Sequence, residues 1–260
     1  MDVRISSWLE LQDALFTDSW QPGIERFRSN FVFRGAPRVT HGLETSLQTG
    51  GFEAHELHLL TSFRKYAMRH AVHGDWVWNW LSLAKHHGLP TRLLDWTYSP
   101  YVAMHFATHK LEDFDVDGGI WCVDYRASNE LLPRPMRKML QEDDANIFTT
   151  EMLNRVATSL PEFDALSNHD FVLFFEPPSL DERIVNQFAL FSLPSSPTLS
   201  LEELLQRREK TVRRLIIPAA LKWEIRDKLD QANVTERVLF PGLDGLSQWL
   251  KRYFTTRRKS

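Results

Sequence analysis

The chain has 260 residues, 43% hydrophobic and 25% charged, enough apolar material for a full core and too much for an extended disordered chain. The formal net charge of −3 gives no overall attraction to nucleic acid or to an anionic membrane surface. The lone Cys122 excludes an intramolecular disulfide, and no apolar run reaches the roughly 20 residues needed to span a bilayer. The opening "MDVRISSWLELQD" lacks the order of a signal peptide, so a cytoplasmic globular protein without membrane association is expected.

In "SWLELQDALF", Ser7 and Glu10 stand at capping-box spacing and Trp8, Leu11 and Leu15 share a face, which predicts a helix. "NFVFRG" (30–35) is short, apolar and closed by Gly35, the pattern of a buried strand. Leu60, Phe63, Ala67 and Ala71 recur at helical spacing, and "DWVWNWLSLAKHHG" predicts a second helix stopped at Gly88 with Pro90 behind it. "TRLLDW" predicts a short strand. Ser99 ahead of Pro100 marks a helix start, and "PYVAMHFATHKLED" continues it. "GGIWCVDY" (118–125) predicts a strand, whereas residues 126–170 are mixed and polar and read as an insertion or lid. "FVLFFEPP" (171–178) and "FALFSL" (188–193) predict two strands joined by a polar loop, and "VRRLIIP" another. The helix "ALKWEIRDKLDQAN" carries Leu221, Ile225 and Leu229 on one side, and a capped helix with a basic tail ends the chain. Helices come early and strands late without regular alternation, which predicts a single α+β domain.

The stretch "LAKHHGLPTRLLDWTYSPYVAMHFA" crowds His86, His87, Arg92, Asp95 and Trp96 into eleven positions. Strand alternation sends Arg92, Leu94 and Trp96 to one face and Thr91, Leu93 and Asp95 to the other. The turn from Asp95 to Ser99 runs into a helix N-terminus, which favours an anion, with Arg92 and one of the two histidines nearby. The structural alternative makes Arg92 and Asp95 members of buried ion pairs and Trp96 part of the core. Arg34, in an aromatic strand, needs an anionic partner: a protein carboxylate such as Asp95, or a ligand phosphate that a guanidinium matches bidentately. In "FFEPPSLDERIVNQFALF", Glu176 closes an apolar strand, Arg183 and Gln187 share a face, and Asp181 and Glu182 read as solvated charges. The histidine pairs His105/His109, His55/His58 and His70/His73 raise a metal-dependent nuclease or hydrolase. There is no HExxH and no cysteine pair, so no metal is expected. The basic tail, with Tyr253 and Phe254, reads as solvated, nucleic-acid phosphate being the minority reading.

"FVFRG", "LAKHHGLPTRLLDWTYSPYVAMHFA", "RIVNQFALFSL" and "LFPGLDGLSQWL" resemble successive blocks of the FRG domain, a family of bacteria and their phages. That resemblance implies one FRG domain over residues 1–260, with a core of about 28–252. More loosely, the chain is similar to the ADP-ribosyltransferase superfamily, which implies a split antiparallel sheet flanked by helices, with NAD as substrate. Phe33-Arg34-Gly35 is similar to the first motif of that superfamily and "DWTYSPYVAMHFA" to the second. The similarity implies a cofactor site of Arg34, Gly35, His86, Arg92, Asp95, Trp96, Thr97, Ser99 and Arg183. The third motif falls on "ERIVNQFALF" but lacks its Glu-x-Glu. Glu182 or Glu176 is then implied to stabilise the oxocarbenium-like state, His87 to position ribose, and Gln187 to orient ribose or acceptor. The implied function is ADP-ribosyl transfer to a macromolecule, protein or nucleic acid, as a toxin or antiphage effector paired with an antitoxin or other partner. The alternative is a non-catalytic module that binds a nucleotide or a partner.

Overall fold

Alternating and continuous apolar runs set out ten strands among the described residues of the computed structural model, which are 1–70, 74–179, 181–207 and 211–257. They are β1 (Asp2–Arg4), β2 (Trp20–Gln21), β3 (Arg26–Phe27), β4 (Phe31–Ala36) and β5 (Leu94–Thr97), followed by β6 (Gly118–Asp124), β7 (Phe148–Thr149), β8 (Val172–Glu176), β9 (Ala189–Pro194) and β10 (Val212–Ile217). Eight form one sheet in the order β1-β10-β6-β4-β5-β9-β8-β7, and β2 and β3 make a separate hairpin. The pairings are antiparallel except at the two edges, where β1/β10 and β7/β8 run parallel.

The sheet is unevenly knit. β4 pairs with β6 from Phe31↔Asp124 to Ala36↔Gly119, and β5 with β9 from Leu94↔Ser192 to Thr97↔Ala189. β4 and β5 meet at Phe33↔Thr97 alone. The α+β class holds, but the expected split antiparallel sheet is a continuous mixed one, pinched at this seam.

Period-two alternation divides the core. Phe31, Phe33, Ile120 and Cys122 pack with helix Trp8–Phe16, helix Pro100–Thr108 and helix Lys222–Gln231. Val32, Trp121 and Val123 belong to a second cluster with Leu94, Trp96 and Phe174. A third cluster joins helix Glu56–Ala67 and helix Val77–His86 to Leu173, Phe175 and Phe191. Residues 126–170 feed the same cluster: Met136, Leu140, Phe148, Met152, Leu153, Leu160 and Phe163 are all buried in it. Each such side chain gains about 1.5–3 kcal/mol over exposure. The segment is therefore bound into the core through short helices whose polar faces dominate its composition.

Local signals explain several element ends. Ser7 Oγ accepts from the Glu10 N–H (3.2 Å), but Glu10 turns back to the Ser6 N–H (2.7 Å), so the capping box is displaced by one residue. Gly88, at φ +82°, reverses the chain after helix Val77–His86, and Ser99 Oγ caps the next helix through the Val102 N–H (3.3 Å). Gly35 permits a close crossing, since a Cβ there would lie 1.9 Å from the Ala103 carbonyl oxygen. Ala71 and His73 lie outside the described residues. Among the described residues no helix is long and apolar enough to cross a membrane.

Candidate functional site

The seam positions the site. Because β4 and β5 share one register pair, the rest of their facing edges find no ladder partner in each other. Arg34 Nη1 donates to the Asp95 backbone carbonyl at 2.9 Å and stands 3.9 Å from the Asp95 carboxylate. Lys85 Nζ lies 2.8 Å from the same carboxylate. Crowding by the cleft walls works to raise the Asp95 carboxyl, but Lys85, Arg34 and Arg183 together outweigh it and hold it below its ordinary value. The side chain keeps 54% of its exposure, so it sits on the floor of an open cleft, accessible to a ligand. Arg34 is pulled down by burial and partly restored by Asp95, and as a guanidinium it stays cationic.

Thr97, at the seam itself, is buried and donates from Oγ1 to the Gln187 carbonyl at 2.6 Å while accepting from the Ser99 N–H at 3.0 Å. This ties β5 to helix Glu182–Asn186, whose spacing brings Arg183 and Gln187 to one side. Asp181 caps that helix through the Ile184 N–H (3.1 Å) and is itself 2.5 Å from His86 Nε2. The Gln187 amide donates to the Leu239 carbonyl (2.9 Å), and the Arg183 guanidinium lies 4.9 Å from the Phe240 ring centre.

These residues enclose a cleft of about 260 Å³. The lining takes Phe33, Arg34 and Gly35 from β4, Asp95, Trp96 and Thr97 from β5 and Ala189 from the adjacent β9, with Arg183, Gln187, Pro37, His41, Phe106, His109 and Lys110 completing it. Arg34, Arg183 and Lys110 face one carboxylate, Asp95, so the lining carries a surplus of positive charge. The structure thus brings together Arg34, Gly35, Asp95, Trp96, Thr97, Arg183 and Gln187. Trp96 is mostly core, with its indole N–H on Ser192 Oγ at 2.9 Å.

Other expected residues lie elsewhere. Arg92 is 2% exposed, held by the carboxylates of Glu56 and Asp164, and lines no part of the cleft. It stands in a bend before β5 begins, so strand alternation does not govern it, and its anions are protein carboxylates. His86 is spent on Asp181, and His87 lines a separate apolar cavity of about 440 Å³ with Phe63, Leu83 and Leu89. Ser99 is a helix cap. Glu176 accepts from the Tyr98 hydroxyl at 2.8 Å, while Glu182 is exposed; neither lines the cleft. Residues 126–170 contribute nothing to its walls.

Sequence reasoning missed Lys85, His41, Phe106 and Lys110. Lys85 sits beside the histidine pair, and the others depend on tertiary packing, so only Lys85 had a local signal. His105 is fully buried, its Nδ1 accepts from Arg226 Nη1 (2.9 Å), and burial followed by the charge of Arg226 pushes it well below its ordinary value. It is a neutral core histidine. Among the described residues no group of three or more side chains is placed to hold a metal ion.

The chain is an α+β protein whose cleft, lined by more cationic than anionic side chains, lies at the seam between β4 and β5. Residues 29–116 match the family model of the FRG domain. The matched residues supply the β4 and β5 lining together with His41, Phe106, His109 and Lys110, while Arg183, Gln187 and Ala189 lie beyond them. No curated protein and no solved structure matches the chain.

Proposed function

We propose that the cleft binds a phosphate-bearing nucleotide of the NAD type and that the chain acts as a nucleotide-binding module. The observation that carries this reading is the convergence of Arg34, Arg183 and Lys110 on a cleft whose one carboxylate is already countered by Lys85. Opposite charges 4 Å apart attract by roughly 4 kcal/mol near a protein surface. With Lys85 offsetting Asp95, the charges of Arg34, Arg183 and Lys110 are left for an anion, and a diphosphate supplies two charges toward matching them. Arg34 uses one N–H on the Asp95 carbonyl and keeps others for phosphate oxygens. Phe106, half-buried in the lining, gives an apolar ring suited to a base.

Calorimetric titration with NAD, ADP-ribose and adenosine tests the proposal. Affinity should rise with phosphate count and weaken with salt; adenosine binding as tightly as ADP-ribose would overturn it.

A second reading, ADP-ribosyl transfer from NAD to a macromolecule, is favoured by one feature. Asp95 is held ionised on the cleft floor, where a carboxylate can oppose the positive charge that develops as nicotinamide leaves. In this reading Asp95 takes the part expected of Glu176 or Glu182. Free nicotinamide, measured with and without cell extract, separates the two: no release from protein that binds NAD leaves the binding module. A toxin or antiphage role, and an antitoxin partner, rest on release being found.

A further inference from the structure

A second cavity, of about 460 Å³, lies between helix Lys222–Gln231 and helix Leu243–Tyr253 and shares no lining residue with the cleft. Helical spacing places Trp223 and Asp227 on one wall and Trp249 and Tyr253 on the other. The charges beneath are settled internally. Arg252 bonds Glu236 (2.6 and 2.8 Å) and Asp230 (2.6 and 2.8 Å), and Arg226 also reaches Asp230, so two guanidiniums meet two carboxylates. Arg237 lies 4.7 Å from the Trp249 ring centre, which shows that this aromatic surface accepts a guanidinium.

Three groups remain open. Asp227 is exposed and makes no hydrogen bond or ion pair among the described residues. Thr235 is 2% exposed and precedes helix Glu236–Leu239 without capping it; its Oγ1 has no partner among the described residues. The Trp249 indole N–H is buried without an acceptor among the described residues. Aromatic rings and a free carboxylate in one lining suit an organic cation, and an unmet indole donor and an unmet hydroxyl in the same lining suit an amide. A ligand offering both is a basic residue within a peptide.

We propose that this cavity binds an arginine or lysine side chain presented by a partner peptide. Asp227 supplies the counter-charge, Trp223 and Tyr253 the ring faces, and Thr235 and Trp249 the contacts to the adjoining amide.

The test is calorimetric titration of the full chain with N-acetyl-arginine methylamide, its neutral citrulline counterpart, and agmatine. Saturable binding of the arginine compound is expected, weaker by about tenfold or more for the citrulline compound and for Asp227→Asn. Tyr253→Ala, at an exposed ring, should weaken it severalfold, with far-ultraviolet circular dichroism unchanged in both variants. Equal binding of the citrulline compound, or unchanged affinity in folded Asp227→Asn, overturns the cation site. Agmatine binding as tightly as the arginine amide overturns the peptide assignment, and no saturable binding of either overturns the whole.

Discussion

Arg34 of β4 and Asp95 of β5 meet across the seam by a side-chain bond to a backbone carbonyl, 2.9 Å long, where a sheet would ordinarily have a ladder bond. One guanidinium thus fastens the two strands and faces the cleft they frame.

Replacing Arg34 separates these duties. Arg34→Ala should lower NAD affinity about tenfold or more, and Arg34→Lys should restore part of the charge attraction without the fork geometry. Titration calorimetry checks both, with circular dichroism to confirm the fold. An unchanged affinity in a folded Arg34→Ala protein removes Arg34 from the ligand.

Gly35→Ala should disturb the wall from behind. The added Cβ would meet the Ala103 carbonyl oxygen at 1.9 Å and the Ala107 nitrogen at 2.6 Å, both backbone atoms of the helix that carries Phe106. A loss of about 1–3 kcal/mol in urea unfolding is expected. A loss within 0.5 kcal/mol would mean that the helix shifts freely.

Arg92→Ala should behave in the opposite way. It leaves Glu56, itself buried, without its cation, at a cost of about 3–5 kcal/mol. NAD affinity, measured at a temperature where the variant is folded, should be unaltered. A fall in affinity with little loss of stability would return Arg92 to the ligand.

His105 predicts a pH dependence. Its folded value lies well below 6.5 through burial and the charge of Arg226, so the unfolded chain takes up the proton first as pH falls. The stability it contributes is complete above about pH 6.5 and drains below it by up to about 1.4 kcal/mol per pH unit. His109, also depressed by burial, acts in the same direction. Urea midpoints at pH 7.5, 6.5 and 5.5 should fall for the native chain and fall less for His105→Gln.

Where the sequence was readable, the signal was local. Ser99 before Pro100, Gly88 after the histidine pair, and the short apolar run of β4 each act within a few residues, and the structure places them as spacing suggests. Arg183 and Gln187 share a side for the same reason. Arg92 was not readable, because its role turns on where β5 begins and on Glu56 and Asp164, both distant in the chain. Residues 126–170 misled through composition: their helices are short, so a few buried residues such as Met136, Leu140 and Leu153 are diluted by polar neighbours. Glu176 looked catalytic as an acid closing an apolar strand, but the side chain that captures it, Tyr98, follows a separate strand.

The single pair Phe33↔Thr97 also bears on how the protein would register a guest. Each half-sheet is paired along its length, so relative twisting of the halves is least opposed at the one pair between them. A diphosphate gripped by Arg34 on one half and by Arg183, which is tied to the other through Thr97 and Gln187, acts as a brace across that line. Occupancy should then slow amide hydrogen exchange at Gly35 and Thr97 more than at the already protected centres of β6 and β9.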